Sequence, residues 1–418
     1  MSRNWLVRPA AMLWGFVVFM PVGANYGAFA LLLLALLAGG GWRERAQRVR
    51  HHPLWWPIVG YVTWTLLVLA FGAHYPQTPS NIVHGLRIAA TVLMALALTR
   101  EEAIWALRGF LLMAVIGIAM IALYYTVGFP MAEAWRGLLI LVGNKSISNA
   151  LLLTIFGASA AVLGLALLAG RRPWPVVLAF GFTLAVMVII TFTLPSRTSM
   201  LALLLALPLA CLHQWRRQLR VLAIAMLLGG ALVGVAVWQS PTVQQKFALG
   251  VQEIEAAQAG AVSEGSWVVR FYMYRDTARM IIDKPLTGWG IGGWTQQWHL
   301  RGPKLLADYN MPHNDFLWMG AQAGVPGALS LLVIVLVGLW QAWRRHDLTG
   351  RFALVAMFVL LVATSVNSAL RDAQIGLSLL WIAMLYLRLV QEPGEPWREL
   401  WPRRGAAVRL GPLAPQEA

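Results

Sequence analysis

Residues 313–342 read HNDFLWMGAQAGVPGALSLLVIVLVGLWQA, and the fold class follows from asking where such a run can be placed. After its first three residues the run carries no charge, so a helix through it belongs in hydrocarbon rather than in water. From His313 to Ala342 a straight helix would extend about 45 Å, against roughly 30 Å of bilayer core. The helix must therefore project, tilt or break. Gly324-Val325-Pro326-Gly327 marks the natural break, because proline removes a backbone donor and collides with the preceding turn.

The same pattern recurs along the whole chain. Of 418 residues 59% are hydrophobic and only 12% charged, with a mean hydropathy of +0.65. Apolar runs of bilayer-crossing length predict spans at 9–22, 25–41, 54–72, 83–98, 103–127, 148–169, 175–194, 198–213, 220–238, 314–342, 352–370 and 374–391. The expected class is all-α, a polytopic membrane protein of about twelve transmembrane helices. Its organisation is nine spans in 1–238, an outer loop with two helices in 239–313, three spans in 314–391, and a tail in 392–418. At the N-terminus, Arg3, Arg8 and the apolar run before Val22-Gly23-Ala24 have the look of a signal peptide. The second apolar run, Tyr26 to Leu37, favours an uncleaved first span.

A formal charge of +16 invites a polyanionic partner. The arginines, however, lie in short clusters between apolar runs, as the positive-inside bias requires, and no basic domain stands outside the membrane, so no nucleic-acid partner is expected. With the N-terminus inside, 21 of the 33 Lys and Arg fall on cytoplasmic segments. Seven of the others lie in the long segment Gln239 to Pro312, which escapes the bias because long loops cross regardless of charge. Both termini are therefore expected in the cytoplasm and the long loop outside. Cys211 is the single cysteine, which excludes an internal disulfide and a thiolate-zinc site.

Within the outer segment, Val243, Phe247, Val251 and Ile254 give an amphipathic helix over Thr242 to Ala259. Ser266 is an expected N-cap for a second helix from Trp267 to Ile282. Spacing places Arg270, Tyr274 and Thr277 on one face of that helix and Arg275 and Arg279 on another. Pro285 ends it, and Gly288-Trp289-Gly290-Ile291-Gly292-Gly293-Trp294 follows, either a close backbone approach or a flexible turn. No strand precedes these glycines, so they are not a dinucleotide fingerprint.

Ionisable groups in a membrane protein are few, and clusters of them mark functional candidates. His313 is expected at a helix N-terminus near the outer interface, where the helix dipole and neighbouring arginines hold the imidazole neutral and able to accept a proton. The plainer reading is a histidine satisfied at the interface. Arg197, in Pro195-Ser196-Arg197-Thr198, stands on the side that the bias should deplete and so calls for an anion: a carboxylate, a lipid headgroup or a phosphate. Arg136 and Lys145, in the outer segment before the sixth span, extend that argument, whereas Arg87 and Arg371 near span ends can snorkel to headgroups. No metal-ligand spacing, P-loop, nucleophile elbow or kinase motif is present, so no metal and no cofactor are expected. An outer face lacks ATP, and group transfer there needs a donor already activated. A sugar on a lipid pyrophosphate fits, with arginines neutralising the leaving group and a neutral histidine taking the acceptor proton.

The order Ser196-Arg197-Thr198, Val269-Arg270-Phe271 through Gly288-Trp289-Gly290, then Pro312-His313-Asn314-Asp315-Phe316-Leu317 through Gly324-Val325-Pro326-Gly327, resembles the O-antigen ligase and polymerase superfamily, and the ligase most. The resemblance implies a metal-independent, inverting glycosyltransferase of the all-helical, GT-C-like membrane class. Its expected partners are O-antigen linked to undecaprenyl pyrophosphate, the lipid A-core acceptor, and membrane lipids, meeting at the periplasmic face of the bacterial inner membrane. It assigns the essential histidine to His313 and pyrophosphate contacts to Arg197 and Arg270; placement adds Lys145 and Arg136. An O-antigen polymerase, a protein O-oligosaccharyltransferase and a non-enzymatic transporter of lipid-linked glycan are the competing readings. One dominant outer loop favours the ligase, and the absent internal repeat argues against a transporter.

Overall fold

The computed structural model describes residues 4–128, 145–168, 173–239 and 241–400. Every regular element among them is helical. In chain order the helices are α1 (Val7–Val17), α2 (Val22–Gly39), α3 (Trp42–Arg50), α4 (Trp55–Phe71), α5 (Thr78–Ala97), α6 (Arg100–Val127), α7 (Lys145–Leu167) and α8 (Pro173–Val188). Then come α9 (Arg197–Trp215), α10 (Leu219–Trp238), α11 (Pro241–Gln258), α12 (Ser266–Asp283), α13 (Gly293–Arg301), α14 (Asp315–Arg344), α15 (Leu348–Val366) and α16 (Ala373–Val390). Each of the twelve apolar runs falls on a helix. Among the described residues nine of these helices are long and apolar enough to cross a membrane, or ten if α3 and α4, bent by 90°, make one span. The two left over are α1, with 11 residues, and α10, whose described apolar side chains run over Leu219–Ala231.

The bundle is built around α16. Apolar residues run all round this helix, so no face suits water, and 89% of it is buried inside the protein. Helices α15, α5, α6 and α7 pack on it, and Trp381 stacks on Trp14 of α1 at 4.0 Å.

At the end of the bundle reached by the C-termini of α14 and α16, arginines from distant parts of the chain occupy last-turn carbonyls, the acceptors that helix geometry leaves without partners. Arg45 and Arg48 reach the carbonyl of Ala97, Arg388 that of Leu98, and Arg345 those of Leu389 and Val390. Arg45 also grips the buried Glu102 through both oxygens, at 2.6 and 2.8 Å. Clusters that the sequence places on one side of the membrane are thus brought to one end.

At the opposite end the long helix α14 departs from helical geometry at Ala323 and Gly324. The break leaves carbonyls without their own turn, and the glycine segment after α12 satisfies them. Trp289 N donates to Ala321 O at 2.8 Å, Gly290 N to Gln322 O at 3.0 Å, and the Trp64 indole to Ala323 O at 2.7 Å. Val325 N returns a bond to Pro285 O at 2.7 Å. So close an approach needs bare backbone: a Cβ on Gly288, which has φ +63°, would stand 2.6 Å from the Ala323 nitrogen, and one on Gly324, φ +69°, would overlap the Leu286 carbonyl. The flexible-turn reading of Gly288–Trp294 therefore gives way to the close approach. The expected outer loop with two helices holds α11 and α12, and a third helix, α13, follows the glycines.

Gly288→Ala or Gly324→Ala should lower the melting temperature of the detergent-solubilised protein, since left-handed backbone alone costs a residue with a Cβ about 1–2 kcal/mol before any collision. Gly23→Ala, where a Cβ meets nothing within 4 Å, should not. Equal melting temperatures for all four proteins would contradict this account of the break.

Candidate functional site

Helix α12 organises the site because one of its faces carries Ser266, Arg270 and Tyr274 at successive four-residue steps, about 5–6 Å apart. Each meets a different part of the chain. The Ser266 hydroxyl accepts a 3.0 Å bond from Arg197 Nη1. The Arg270 charge acts on the His313 imidazole, and Tyr274 Oη donates to the His313 carbonyl at 3.1 Å. Arg197, Arg270 and His313 are thereby gathered along one helix face. Two details differ from the sequence reading. Gly265, not Ser266, occupies the cap position, which leaves the serine hydroxyl for Arg197. Thr277 accepts from the Trp294 indole at 2.8 Å inside the protein and takes no part in the site.

Arg197 is placed by a local irregularity. Helix α8 loosens into a π turn over Ile189–Thr193, Pro195 stops it, and Ser196 caps α9 by accepting from Ser199 N at 3.2 Å. Arg197 is then the first residue of α9 and stays exposed.

His313 lies at the mouth of α14, between α12 and the connection from α15 to α16. Asn314 caps α14 by accepting from Leu317 N at 2.9 Å and donates to Ser365 O at 2.7 Å. Asp315, with no exposed surface, accepts from the amides of Leu370 and Arg371 at 2.8 and 3.1 Å. The same connection is held from its other side by Arg87, which donates to the carbonyls of Leu370, Arg371 and Asp372 at 2.8, 2.9 and 3.0 Å. Arg87 is 5% exposed, so the snorkelling reading fails: the guanidinium satisfies backbone instead of reaching headgroups. Arg371 is half-buried, and its Nη1 donates to Asn310 at 3.2 Å.

Held this way, His313 takes φ +53°, the one positive φ at a non-glycine position among the described residues. That conformation is costly, and such strain collects where side-chain placement matters more than backbone comfort. The imidazole Nδ1 faces Asn367 Oδ1 at 3.4 Å, and the same oxygen accepts from Ser368 N at 3.0 Å. An oxygen that already accepts from an amide is fixed as an acceptor, so Nδ1 carries the proton and Nε2 keeps its lone pair. Burial, then the Arg270 charge, push the imidazole pKa below its ordinary 6.5, while the Asn367 bond opposes them. Burial raises the Tyr274 phenol, and Arg270 counters it. Asn367 is the site residue that sequence reasoning missed. Only its position in a polar Ser365-Val366-Asn367-Ser368 at the end of a span could have suggested it.

Three arginines of α12 and α13 are held in ion pairs. Arg275 binds Asp276 through Nε at 2.7 Å and Nη2 at 3.1 Å, Arg279 reaches the same carboxylate at 3.5 Å, and Arg301 pairs with Asp283. Among the described residues no carboxylate pairs with Arg197 or Arg270, and the Arg270 Nε is buried without a partner. Those two positive charges, near a neutral imidazole, leave a local excess of positive charge that a structural ion-pair network would have cancelled. Among the described residues no three His, Cys, Asp or Glu are grouped to hold a metal ion. Lys145 opens α7, but its side chain lies outside the described residues, as does the whole of Arg136.

Residues 182–332 match the family model described as O-antigen ligase. The match runs from α8 through the break in α14 and contains Arg197, Arg270 and His313. No curated protein matches the chain.

His313 should titrate below 6.5 in ring-labelled NMR spectra, with its resonance assigned from a His313→Gln sample. Arg270→Gln should move that midpoint up by removing a nearby positive charge. Because the folded-state value lies under the unfolded one, the protein should lose stability as pH falls through 6.5. A midpoint at or above 6.5, or one unmoved by Arg270→Gln, would contradict this electrostatic picture.

Proposed function

Starting from a chain that belongs to the O-antigen ligase family, we propose that it transfers O-antigen polysaccharide from undecaprenyl pyrophosphate to a sugar hydroxyl of lipid A-core, at the periplasmic face of the bacterial inner membrane. The observation that carries this reading is the pair of arginines that have no carboxylate partner among the described residues, on or against one face of α12, with a half-buried neutral imidazole whose Nε2 keeps its lone pair.

In this mechanism Arg197 and Arg270 bind the donor pyrophosphate, each guanidinium offering a planar fork of donors to phosphate oxygens. Lys145 and Arg136, from the segment entering α7, add positive charge on the same side. His313 Nε2 accepts the proton of the acceptor hydroxyl as its oxygen attacks the anomeric carbon. The new glycosidic C–O bond forms on the face opposite the breaking bond to pyrophosphate, so configuration inverts, and undecaprenyl pyrophosphate leaves with its added negative charge against the arginines. The Asn367 oxygen holds Nδ1–H and so fixes the tautomer in which Nε2 can act. The arginines supply charge neutralisation that a divalent ion provides elsewhere, so the reaction is metal-independent. In this reading the count of twelve spans takes α1 and α10 as membrane helices, both termini are cytoplasmic, and the architecture is that of the GT-C-like class.

The long segment between α10 and α14 supports the ligase over a polymerase, and the electrostatics of His313 support chemistry over transport. A transporter gate has no use for a base held in one tautomer.

Purified protein given lipid-linked glycan and lipid A-core, without metal or nucleotide, should form the joined product. His313→Ala should cut the rate by at least about 10²-fold, the usual worth of a positioned base, while eluting as the same folded species. Arg270→Lys should also slow turnover, because an ammonium lacks the guanidinium fork. Near-normal ligation by His313→Ala rejects the base assignment, and glycan lengthening with no acceptor present moves the assignment to the polymerase.

A further inference from the structure

A cavity of about 710 Å³ lies at the end of the bundle opposite His313. Its position follows from the elements around it: Phe352 begins α15, Tyr386 is near the end of α16, and Leu163 and Leu167 close α7. Phe156 and Leu163 of α7 and Leu178 and Phe182 of α8 make apolar walls. Helix α8 leans on little besides α7, and its far side leaves Trp174, Val177, Leu184 and Met187 exposed, which puts the cavity at the level of lipid tails. An empty apolar space open at that depth fills with hydrocarbon.

The mouth is different in chemistry. Trp397 and Arg398, in the 3-10 turn Pro396–Leu400, close the rim. Among the described residues the Trp397 indole N–H is buried with no partner, an orphaned donor that costs free energy unless an acceptor arrives. Arg398 meets Glu395 through Nε at 2.5 Å, which leaves the rest of its fork open, and its side chain is 57% exposed. An apolar chamber topped by an unmatched N–H donor and a cation fits an amphiphile with an oxyanion head.

We propose that this cavity is a structural site for a phosphodiester-headed membrane lipid of the leaflet opposite the His313 face. One acyl chain fills the space between α7, α8 and α16, and the phosphate accepts from the Trp397 indole and Arg398. The lipid wedges the Pro396–Leu400 turn against α6, where Arg108 already donates to the Glu399 carbonyl at 2.6 Å. This site is independent of the proposed glycosyl transfer and stands or falls apart from it.

The test is native mass spectrometry of the full chain released from mild detergent, titrated with palmitoyl-oleoyl phosphatidylglycerol. Wild type should retain one tightly held phospholipid through activation that strips the annular ones. Ala160→Phe, which fills the chamber from α7, should lose it, and Arg398→Gln, at an exposed position that leaves the fold intact, should lower its occupancy several-fold. Should Ala160→Phe not fold, Arg398→Gln and Trp397→Phe decide the matter at the mouth. No retained lipid in wild type, or equal retention in wild type and both mouth variants, overturns the proposal. One-for-one displacement of the phospholipid by a polyprenyl phosphate also overturns it, assigning the chamber to the tail of an isoprenoid lipid.

Discussion

The rest of the structure depends on three carbonyl groups. Where α14 breaks at Ala323 and Gly324, the oxygens of Ala321, Gln322 and Ala323 must find donors, because in hydrocarbon no water replaces them and each orphan costs several kcal/mol. Two of the donors are backbone amides at 289 and 290, and only a chain bare of side chains can bring them close enough. This docking fixes the segment that begins at Pro285, two residues after α12 ends. Helix α12 therefore has little freedom to roll or slide against α14. Counting back from Asp283, Tyr274 and Arg270 come toward His313, at the start of the helix whose break the segment after α12 seals. The kink and the site are two ends of one assembly, which explains why their residues lie in one contiguous family match.

A second clamp works from within the bundle. Asp315 and Arg87 hold the connection from α15 to α16 through its amides and its carbonyls respectively, so a buried carboxylate and a buried guanidinium are matched to backbone and not to each other. Bonds from a charged partner are each worth about 1.5–3 kcal/mol, and the arrangement spares both charges an unpaired burial. Its product is the position of Asn367, and with it the tautomer of His313. Ion pairs elsewhere on α12 and α13, at Asp276 and Asp283, hold Arg275, Arg279 and Arg301 away from the site.

Most of the architecture was legible because bilayer thickness, helix rise and apolar run length are tightly linked. All twelve apolar runs became helices, the break fell at Gly324, and Arg270 and Tyr274 share the face that their spacing demands. What could not be read involved partners far apart in the chain. Arg87 and the carbonyls it grips are separated by more than 280 residues, so its burial had no local signature. Asn367 is one polar residue at a span end until the fold brings it to His313. The glycine segment was ambiguous because a flexible turn and a close approach need the same residue, and only the partner backbone at 321–325 decides between them. Ser266 was misread as a cap for a related reason: its hydroxyl had two suitable acceptor roles, and the distant Arg197 took the tertiary one.

His313 combines three constraints that pull against stability: a left-handed backbone, a half-buried imidazole and a nearby positive charge. On the proposed reading they serve one end. In the free protein burial, and after it the Arg270 charge, keep the imidazole unprotonated, at the expense of basicity, since the field that expels the proton also weakens the lone pair. A pyrophosphate bound to Arg197 and Arg270 would neutralise that field, and the imidazole pKa would rise just as the donor arrives. The base would then be strongest only when there is a glycosyl group to receive the alcohol. Proton capture from bulk water in the empty site would be suppressed by the same arginines that later hold the leaving group. Ordering of this kind requires the cations to lack carboxylate partners, because a permanent counter-ion would cancel the change that substrate binding is meant to produce. That requirement gives a physical reason why, among the described residues, Arg197 and Arg270 have no carboxylate partner while Arg275, Arg279 and Arg301 all do.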